Sequence, residues 1–423
     1  ARSLGFSPAS TAALSLANRT PVPRIVSKSG HSEVPPEEPH PIESVRRLTA
    51  RERPQAPRAV LPGAVLRGLR RDPAQLGFRV ALPAESSDPD DVDRREFLTG
   101  TAGFMATAVL PTPTRLGGSD IVRLRQSITH LYALDDQHGA GSVYSATART
   151  FQRLRSLVEH ASYSETTGQA LQELTGMTAE HAGWLAFDAG QHDDARRWWL
   201  EALQWARLAD SESVGAVTMA AMALQASDQG RPREAIQLAT AAQSTAGHAA
   251  TPRLSSLLLA REALGHAGRG DVTSAHAALR RARGFLDQAR DDDPSWTPCF
   301  GDVPTRLTHD GPANLASSEC RVVLTLGDTV AAEDAARAAI ALNDPAGYPR
   351  NRALYLIRLA EILVQRREID EGVATATRAA VAAADLDSRR VSRGLQALAQ
   401  NLGPFGDDPS VGEFLERQRT LAA

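Results

Sequence analysis

From residue 119 onward, apolar residues recur with the spacing of amphipathic helices. Positions i, i+3, i+4 and i+7 are apolar through segments of roughly 15–25 residues, which Gly, Asp or Pro separates. No stretch alternates between apolar and polar residues for the length that a strand requires. The pattern therefore predicts an all-α region over most of the chain.

A repeated turn gives these helices an order. Glycines that recur every 40 residues are followed five and twelve positions later by alanines. The members are Gly190, Ala195 and Ala202; Gly230, Ala235 and Ala242; and Gly270, Ala275 and Ala282. Each Gly predicts a left-handed end to the first helix of a pair, and the polar residues after it predict a cap for the second helix. We expect a fourth unit at Gly327, with a longer turn that leads to Ala335, and a fifth unit at residues 369–372.

The Gly-x4-Ala-x6-Ala pattern resembles the tetratricopeptide repeat over roughly residues 119–400. The resemblance implies a right-handed superhelical solenoid of helical hairpins, because one hairpin cannot bury both of its faces alone. The period of 40 in place of 34, and the missing terminal Pro, indicate a variant of that repeat. An unrelated helical bundle is the alternative.

The composition changes along the chain and predicts three zones. Residues 1–93 hold 13 of the 25 prolines and an excess of Arg, which predicts a poorly ordered region with short helices at 42–53 and 60–71. Residues 94–117 form a connector. Residues 118–410 form the repeat domain.

Charge and motifs exclude several classes of function. A net charge of −3 favours neither nucleic acid nor membrane for the chain as a whole, and no apolar run reaches the length of a membrane span. The sequence has no phosphate-binding Gly-rich loop and no paired-His metal motif. We therefore expect a binding protein and not an enzyme, with no cofactor and no metal. Cys299 and Cys320 lack zinc-ligand spacing and are expected to be reduced, buried thiols of a cytoplasmic protein.

Several short stretches resemble a more specific family, the actinobacterial helix-turn-helix regulators with a C-terminal tetratricopeptide-like region. They are GWLAFDAG at 183–190, DPSW at 293–296, RLAE at 358–361 and LDSRR at 386–390. Members of this family are associated with sporulation, differentiation and antibiotic production. The resemblance implies a regulator of transcription, differentiation or secondary metabolism.

The first residues resemble part of a helix-turn-helix domain, from its second helix into the recognition helix. The resemblance implies that Ser10, Thr11 and Ser15 face DNA bases and that Arg19 and Arg24 lie near phosphates. The resemblance begins in the second helix of such a domain, so its first helix is not among the residues that carry the resemblance. The alternative is a disordered leader segment that resembles the motif without forming the domain.

A cluster at the start of a late helix is the candidate partner-binding groove. It comprises Tyr348, Arg350, Asn351, Arg352 and Tyr355. An Arg fork suits the carboxylate of an acidic or C-terminal peptide group. The alternative is that both Arg side chains are solvated and Tyr355 belongs to the core.

Two further segments have competing interpretations. Residues 94–98, RREFL, match a twin-arginine export signal, but they lie far into the chain and a similar sequence occurs as a connector in the resembled family. Residues 291–312 form a long loop that either folds across the groove or is a tolerated insertion.

Together these features predict a cytoplasmic regulator whose repeats bind a peptide or protein partner or form a homodimer, with DNA as a further partner of the N-terminus and no membrane association. The alternatives are a protein-interaction scaffold without DNA binding and an exported repeat-containing binding protein.

Overall fold

The computed structural model describes residues 115–290, 311–343 and 348–422, which belong to one unit, Pro89–Ala423. Within these residues the chain is 84% helical, has no strand, and forms fourteen α-helices packed in adjacent pairs. This confirms the all-α prediction for the described part. The helices are α1 (Gly118–His138), α2 (Ala140–His160), α3 (Glu165–Asp188), α4 (His192–Leu208), α5 (Glu212–Asp228), α6 (Pro232–Ala246), α7 (Pro252–Gly268), α8 (Val272–Leu286), α9 (Pro312–Thr325), α10 (Thr329–Leu342), α11 (Pro349–Gln365), α12 (Ile369–Ala382), α13 (Arg389–Leu402) and α14 (Pro409–Ala422).

The predictions for residues 1–114 and for 291–310 lie outside the described residues. They concern the helix-turn-helix remnant, the short helices at 42–53 and 60–71, the twin-arginine-like motif and the long loop.

The repeated glycines end helices as the sequence predicts. Gly190, Gly230, Gly270 and Gly327 have φ values of 73°, 66°, 73° and 88°. After α3, the Gln191 N–H donates to the Ala186 carbonyl at 2.8 Å and the Gly190 N–H donates to the Phe187 carbonyl at 2.9 Å. This pair of bonds satisfies carbonyls that the helix end leaves open. The expected left-handed caps are confirmed.

The predicted caps of the second helices are only partly present. Asp271 accepts a hydrogen bond from the Ser274 N–H, and so caps α8. Asp328 caps α10 in the same way. Gln191 and Arg231, which precede α4 and α6, make no such side-chain bond.

The fourth unit has the same turn as the first three, so the longer turn predicted there is wrong. The Ala332 N–H donates to the Asp328 carbonyl, as the Ala195 N–H donates to the Gln191 carbonyl. Ala332 therefore holds the position that was assigned to Ala335. Helix α10 is rich in alanine, and composition alone could not distinguish one alanine from another three positions away.

Small residues at the repeated positions allow close packing between helices. The six repeated alanines from Ala195 to Ala282 are fully buried. Gly183 shows how close the approach becomes, because a Cβ atom there would lie 2.4 Å from Nε1 of the buried Trp199. Since Trp199 also donates from Nε1 to the Glu180 carbonyl at 3.2 Å, α4 is fixed against α3.

The odd-numbered helices contact one another, and the first of them contacts the eleventh helix. At the end of α1 the Asp387 N–H donates to the His138 carbonyl at 2.8 Å. Gly139, with φ 88°, permits this approach, because its Cβ would lie 2.5 Å from the Asp387 carbonyl oxygen. The helix array thus folds back on itself around an internal space.

Candidate functional site

The internal space is a cavity of ≈420 Å³. Among the described residues, all seven odd-numbered helices contribute side chains to its lining, whereas of the even-numbered helices only α4 does so, through His192 at its start. The lining is strongly charged and separates into an acidic wall on α1 and α3 and a basic wall on α7, α9 and α13.

The acidic wall is joined to α11 by a buried ion pair. Arg350 donates from Nη1 to Oδ1 of Asp135 and from Nη2 to Oδ2 of the same carboxylate at 3.1 Å. Nη2 also lies 3.4 Å from Oδ1 of Asp136. Burial alone would raise the pKa of Asp135, but the charges of Arg350 and His181 outweigh burial and hold that pKa at about 2. Asp135 is therefore ionised and its partner Arg350 is fully engaged.

Other carboxyl groups of this wall have raised pKa values. The Tyr132 hydroxyl donates to Oε2 of Glu180 at 3.1 Å, and the Tyr132 ring stacks on His181 with centroids 3.9 Å apart. Burial raises the pKa of Glu180 to about 7, against the opposing effect of the Tyr132 hydrogen bond. Burial, with the charge of Asp135, also raises the pKa of Asp136. These groups exchange protons near neutral pH, a property that suits charge sensing and that acid–base catalysis also requires.

The basic wall holds four arginines: Arg393 on α13 is exposed, and the other three guanidinium groups are buried or half-buried. Arg321 on α9 forms an ion pair with Asp228. Arg390 on α13 has Nη1 3.7 Å from Oδ1 of Asp188, and its guanidinium lies 5.1 Å from the ring centre of Phe187. Arg261 on α7 is buried, and its Nε has no hydrogen-bond partner within the described residues.

The structure brings three of the five predicted groove residues to the cavity, namely Arg350, Asn351 and Tyr355. Tyr348 is buried at the start of α11. Arg352 is half-buried and donates weakly to the Ile340 carbonyl at 3.5 Å. Tyr355 is buried, as its alternative interpretation held, and burial raises its pKa to about 12.

Arg350 differs from both interpretations of the sequence. It is only 4% exposed, so the alternative in which it is solvated is wrong. Its donors are directed to Asp135 and Asp136, so its fork is not open to a peptide carboxylate. Binding of a partner by the five residues remains a prediction. The proposed DNA contacts Ser10, Thr11, Ser15, Arg19 and Arg24 lie outside the described residues.

Sequence reasoning missed most of the cavity wall. Arg261 directly follows the largely apolar run LSSLLLA at 254–260, and Glu180 and His181 interrupt another largely apolar stretch of α3. A charged residue within a helix that is otherwise apolar on all sides is the signal that could have identified them. Their partners on other helices left no such signal.

A scan of protein-family models finds no model that matches the chain, and a search of curated proteins finds no significant match. None of the described helices is both long and apolar enough to cross a membrane. Within the described residues, no group of three or more His, Cys, Asp or Glu side chains is arranged to hold a metal ion.

Proposed function

We propose that this protein is a regulator whose helical repeats form a sensor domain, and that the sensor takes up its ligand in the central cavity. The carrying observation is the cavity itself, to which all seven odd-numbered helices contribute. Its volume of ≈420 Å³ falls in the range typical of ligand sites, about 300–1,000 Å³. A ligand held there contacts many helices at once and so affects the packing of the whole array.

The repeat architecture supports a tetratricopeptide-like solenoid as the finer description of the fold. Four helix pairs share one Gly turn and the same spacing of small residues, and such arrays present their first helices inward. The resemblance to actinobacterial helix-turn-helix regulators supports a role in transcription or differentiation in the cytoplasm.

The size of the cavity favours a peptide end or a single side chain of a partner protein over a long extended peptide. The basic wall carries guanidinium groups, whereas the charge of Glu180 on the acidic wall depends on pH near neutrality, so a partner is selected by the charge of the group that enters. Binding, and not catalysis, is the function proposed here.

Substitution at the cavity tests this function. The full-length chain and its Asn351→Trp variant are immobilised, exposed to a cell extract and analysed for retained peptides and proteins by mass spectrometry. Asn351 is half-buried and lines the cavity, whereas Asn401 is exposed on α13 and does not. We expect a partner that the wild type and Asn401→Trp retain and that Asn351→Trp loses. Identical retention by all three proteins would reject the cavity as the binding element.

DNA binding is tested separately on the same full-length chain. Retention on duplex DNA that weakens steeply with salt supports a transcriptional regulator. Absence of retention at low salt instead favours a scaffold that acts only through protein partners.

A further inference from the structure

The basic wall of the cavity contains more positive than negative charge. Arg261, Arg321 and Arg390 influence one another electrostatically. Two carboxylates, Asp228 and Asp188, pair with Arg321 and Arg390. The third guanidinium, that of Arg261, has no ion-pair partner among the described residues. Asp228 also acts electrostatically on Arg261, but its ion pair is with Arg321, so the Arg261 guanidinium is left without an ion pair of its own.

Arg261 is placed where that charge is most costly. Its side chain is 9% exposed and lines the cavity, and its Nε is fully buried without a hydrogen-bond partner. Burial, and next the charge of Arg321, lower its pKa to about 10, so Arg261 still carries its charge at neutral pH. A buried and unpaired charge is strongly destabilising, and native proteins usually compensate it with a partner.

We propose that a small organic anion binds in the cavity with its carboxylate or phosphoryl group against Arg261. Guanidinium donors suit either group, because both offer two oxygens to the planar fork. The ligand restores the missing negative charge and bonds the donors of Arg261. The proposal rests on the cavity as the binding element, as proposed above, and it moves anion recognition from Arg350 to Arg261.

The surroundings of Arg261 fit an anionic head group attached to a short apolar body. Tyr355 lies near Arg261 and bonds to Ser317, so hydroxyl groups stand beside the guanidinium. Leu257, one helical turn before Arg261, and Leu224 on α5 supply an apolar part of the same lining. At the acidic wall Arg350 is already paired with Asp135, so its guanidinium is not available to a second anionic group at the far end of the ligand.

The test measures thermal unfolding of the full-length chain in inorganic phosphate and in butyrate, each at about 10 mM, with sodium chloride at equal ionic strength as the reference. We expect at least one of the two anions to raise the unfolding midpoint saturably. A response to phosphate alone identifies a phosphoryl ligand, and a response to butyrate alone identifies a carboxylate. The same titrations followed by calorimetry give the dissociation constant.

Arg261→Met is expected to weaken binding about tenfold or more, because the charge-assisted hydrogen bonds are lost. Without added anion this variant is expected to unfold at the wild-type midpoint or above it, because it removes an unpaired buried charge. A packing role alone would instead lower the midpoint. Arg280→Met, on the exposed face of α8, removes the same charge outside the cavity and is expected to respond like the wild type. If Arg261→Met does not fold, Arg261→Gln is used, with the same expected loss of binding.

The proposal is overturned if neither anion stabilises the wild type beyond chloride, or if the Arg261 variant binds as tightly as Arg280→Met. Such a failure is distinguishable from failure of the proposed function. If Asn351→Trp still loses its partner while Arg261 proves unimportant for anions, the cavity remains the sensor and only the chemistry assigned to its ligand is wrong.

Discussion

Glu180 and Asp135 are both buried carboxyl groups of the acidic wall, yet their pKa values move in opposite directions. Asp135 faces the guanidinium of Arg350, which stabilises the ionised form. Glu180 accepts a hydrogen bond from the neutral hydroxyl of Tyr132, and burial, together with the charge of Asp135, outweighs that bond and favours the protonated form. The identity of the neighbour, and not burial as such, decides the charge of each group.

The raised pKa of Glu180, about 7, predicts a stability that falls as pH rises. Between its unfolded pKa, about 4.3, and its folded pKa, the folded state holds a proton that the unfolded chain releases. Stability is therefore lost progressively through that window, by at most about 4 kcal/mol. Glu180→Gln stays neutral, and its free energy of unfolding should exceed that of the wild type at pH ~8 and match it only below the unfolded pKa, near pH ~3.5.

Urea unfolding at a series of pH values measures this difference. Glu165→Gln, at an exposed position on the same helix, is the matched control and should run parallel to the wild type. Parallel curves for Glu180→Gln and the wild type would show that Glu180 is ionised in the folded state at neutral pH.

Individual cavity residues were difficult to predict from the sequence, for a physical reason. Arg350 lines the cavity, but its partner Asp135 lies 215 residues away on α1. The pattern of apolar and polar residues within one helix does not show which carboxylate of another helix will lie beside it. Arg261 was overlooked because an unpaired charge is recognisable only once the charges around it have been located.

At the scale of the element, the backbone conformation at the helix ends repeats more regularly than the residues on the helix faces do. Left-handed residues follow α3, α5, α7 and α9 at Gly190, Gly230, Gly270 and Gly327. Two other helices end on non-glycine residues in the same conformation, at Asp210 with φ 51° and Arg367 with φ 67°. The Ser211 N–H and the Glu368 N–H still donate back to the preceding helix, at 2.9 Å each. The turn geometry is thus retained where the glycine is not.

Substitution of Gly270 isolates the energetic contribution of this conformation. No atom lies within 4 Å of a Cβ built there, so Gly270→Ala meets no clash and its cost comes from φ 73° alone. We expect the free energy of unfolding to fall by about 1 kcal/mol. Gly284→Ala, in α8 and with equally open space, should instead raise it by about 0.5–1 kcal/mol, because alanine favours a helix. Chemical denaturation of both variants measures the two shifts, and equal shifts of the same sign would contradict this account.

The glycine signal explains why the helix pairs could be predicted while one register could not. A position with positive φ strongly favours glycine, because glycine has no Cβ atom. A repeated Gly therefore marks the turn clearly. In α10 several alanines could be assigned to the small buried positions that follow the turn. The choice of Ala335 over Ala332 was wrong there. A backbone conformation that only glycine adopts easily can be predicted from the sequence. The packing of a small side chain can be predicted only when the helix against which it packs is known.

At the scale of the whole molecule, the cavity exists because the array folds back so that α1 meets α11. Hydrophobic periodicity predicted the helices, but it contains no information about contacts between residues more than 200 positions apart. Helix α1 is joined to α11 by the ion pair of Arg350 with Asp135, and its end is joined to the segment between α12 and α13 by the hydrogen bond from the Asp387 N–H to the His138 carbonyl. Each is specific to this chain and not to the repeat.

Arg350→Met tests whether this contact holds the array closed. The substitution leaves Asp135 buried without its cation, and breaking such a pair by removing one partner costs about 3–5 kcal/mol. Because the partner is on α1, amide hydrogen exchange should accelerate in α1 and α11 more than in α7 and α8, which lie away from the contact. Arg352→Met, two residues along the same helix, removes only a weak bond to the Ile340 carbonyl and should cost less than about 1 kcal/mol. If exchange rises uniformly over all helices, the ion pair stabilises the fold in general and does not act as the closure. If it rises in α1 and α11 alone, one buried ion pair sets how firmly the cavity is enclosed.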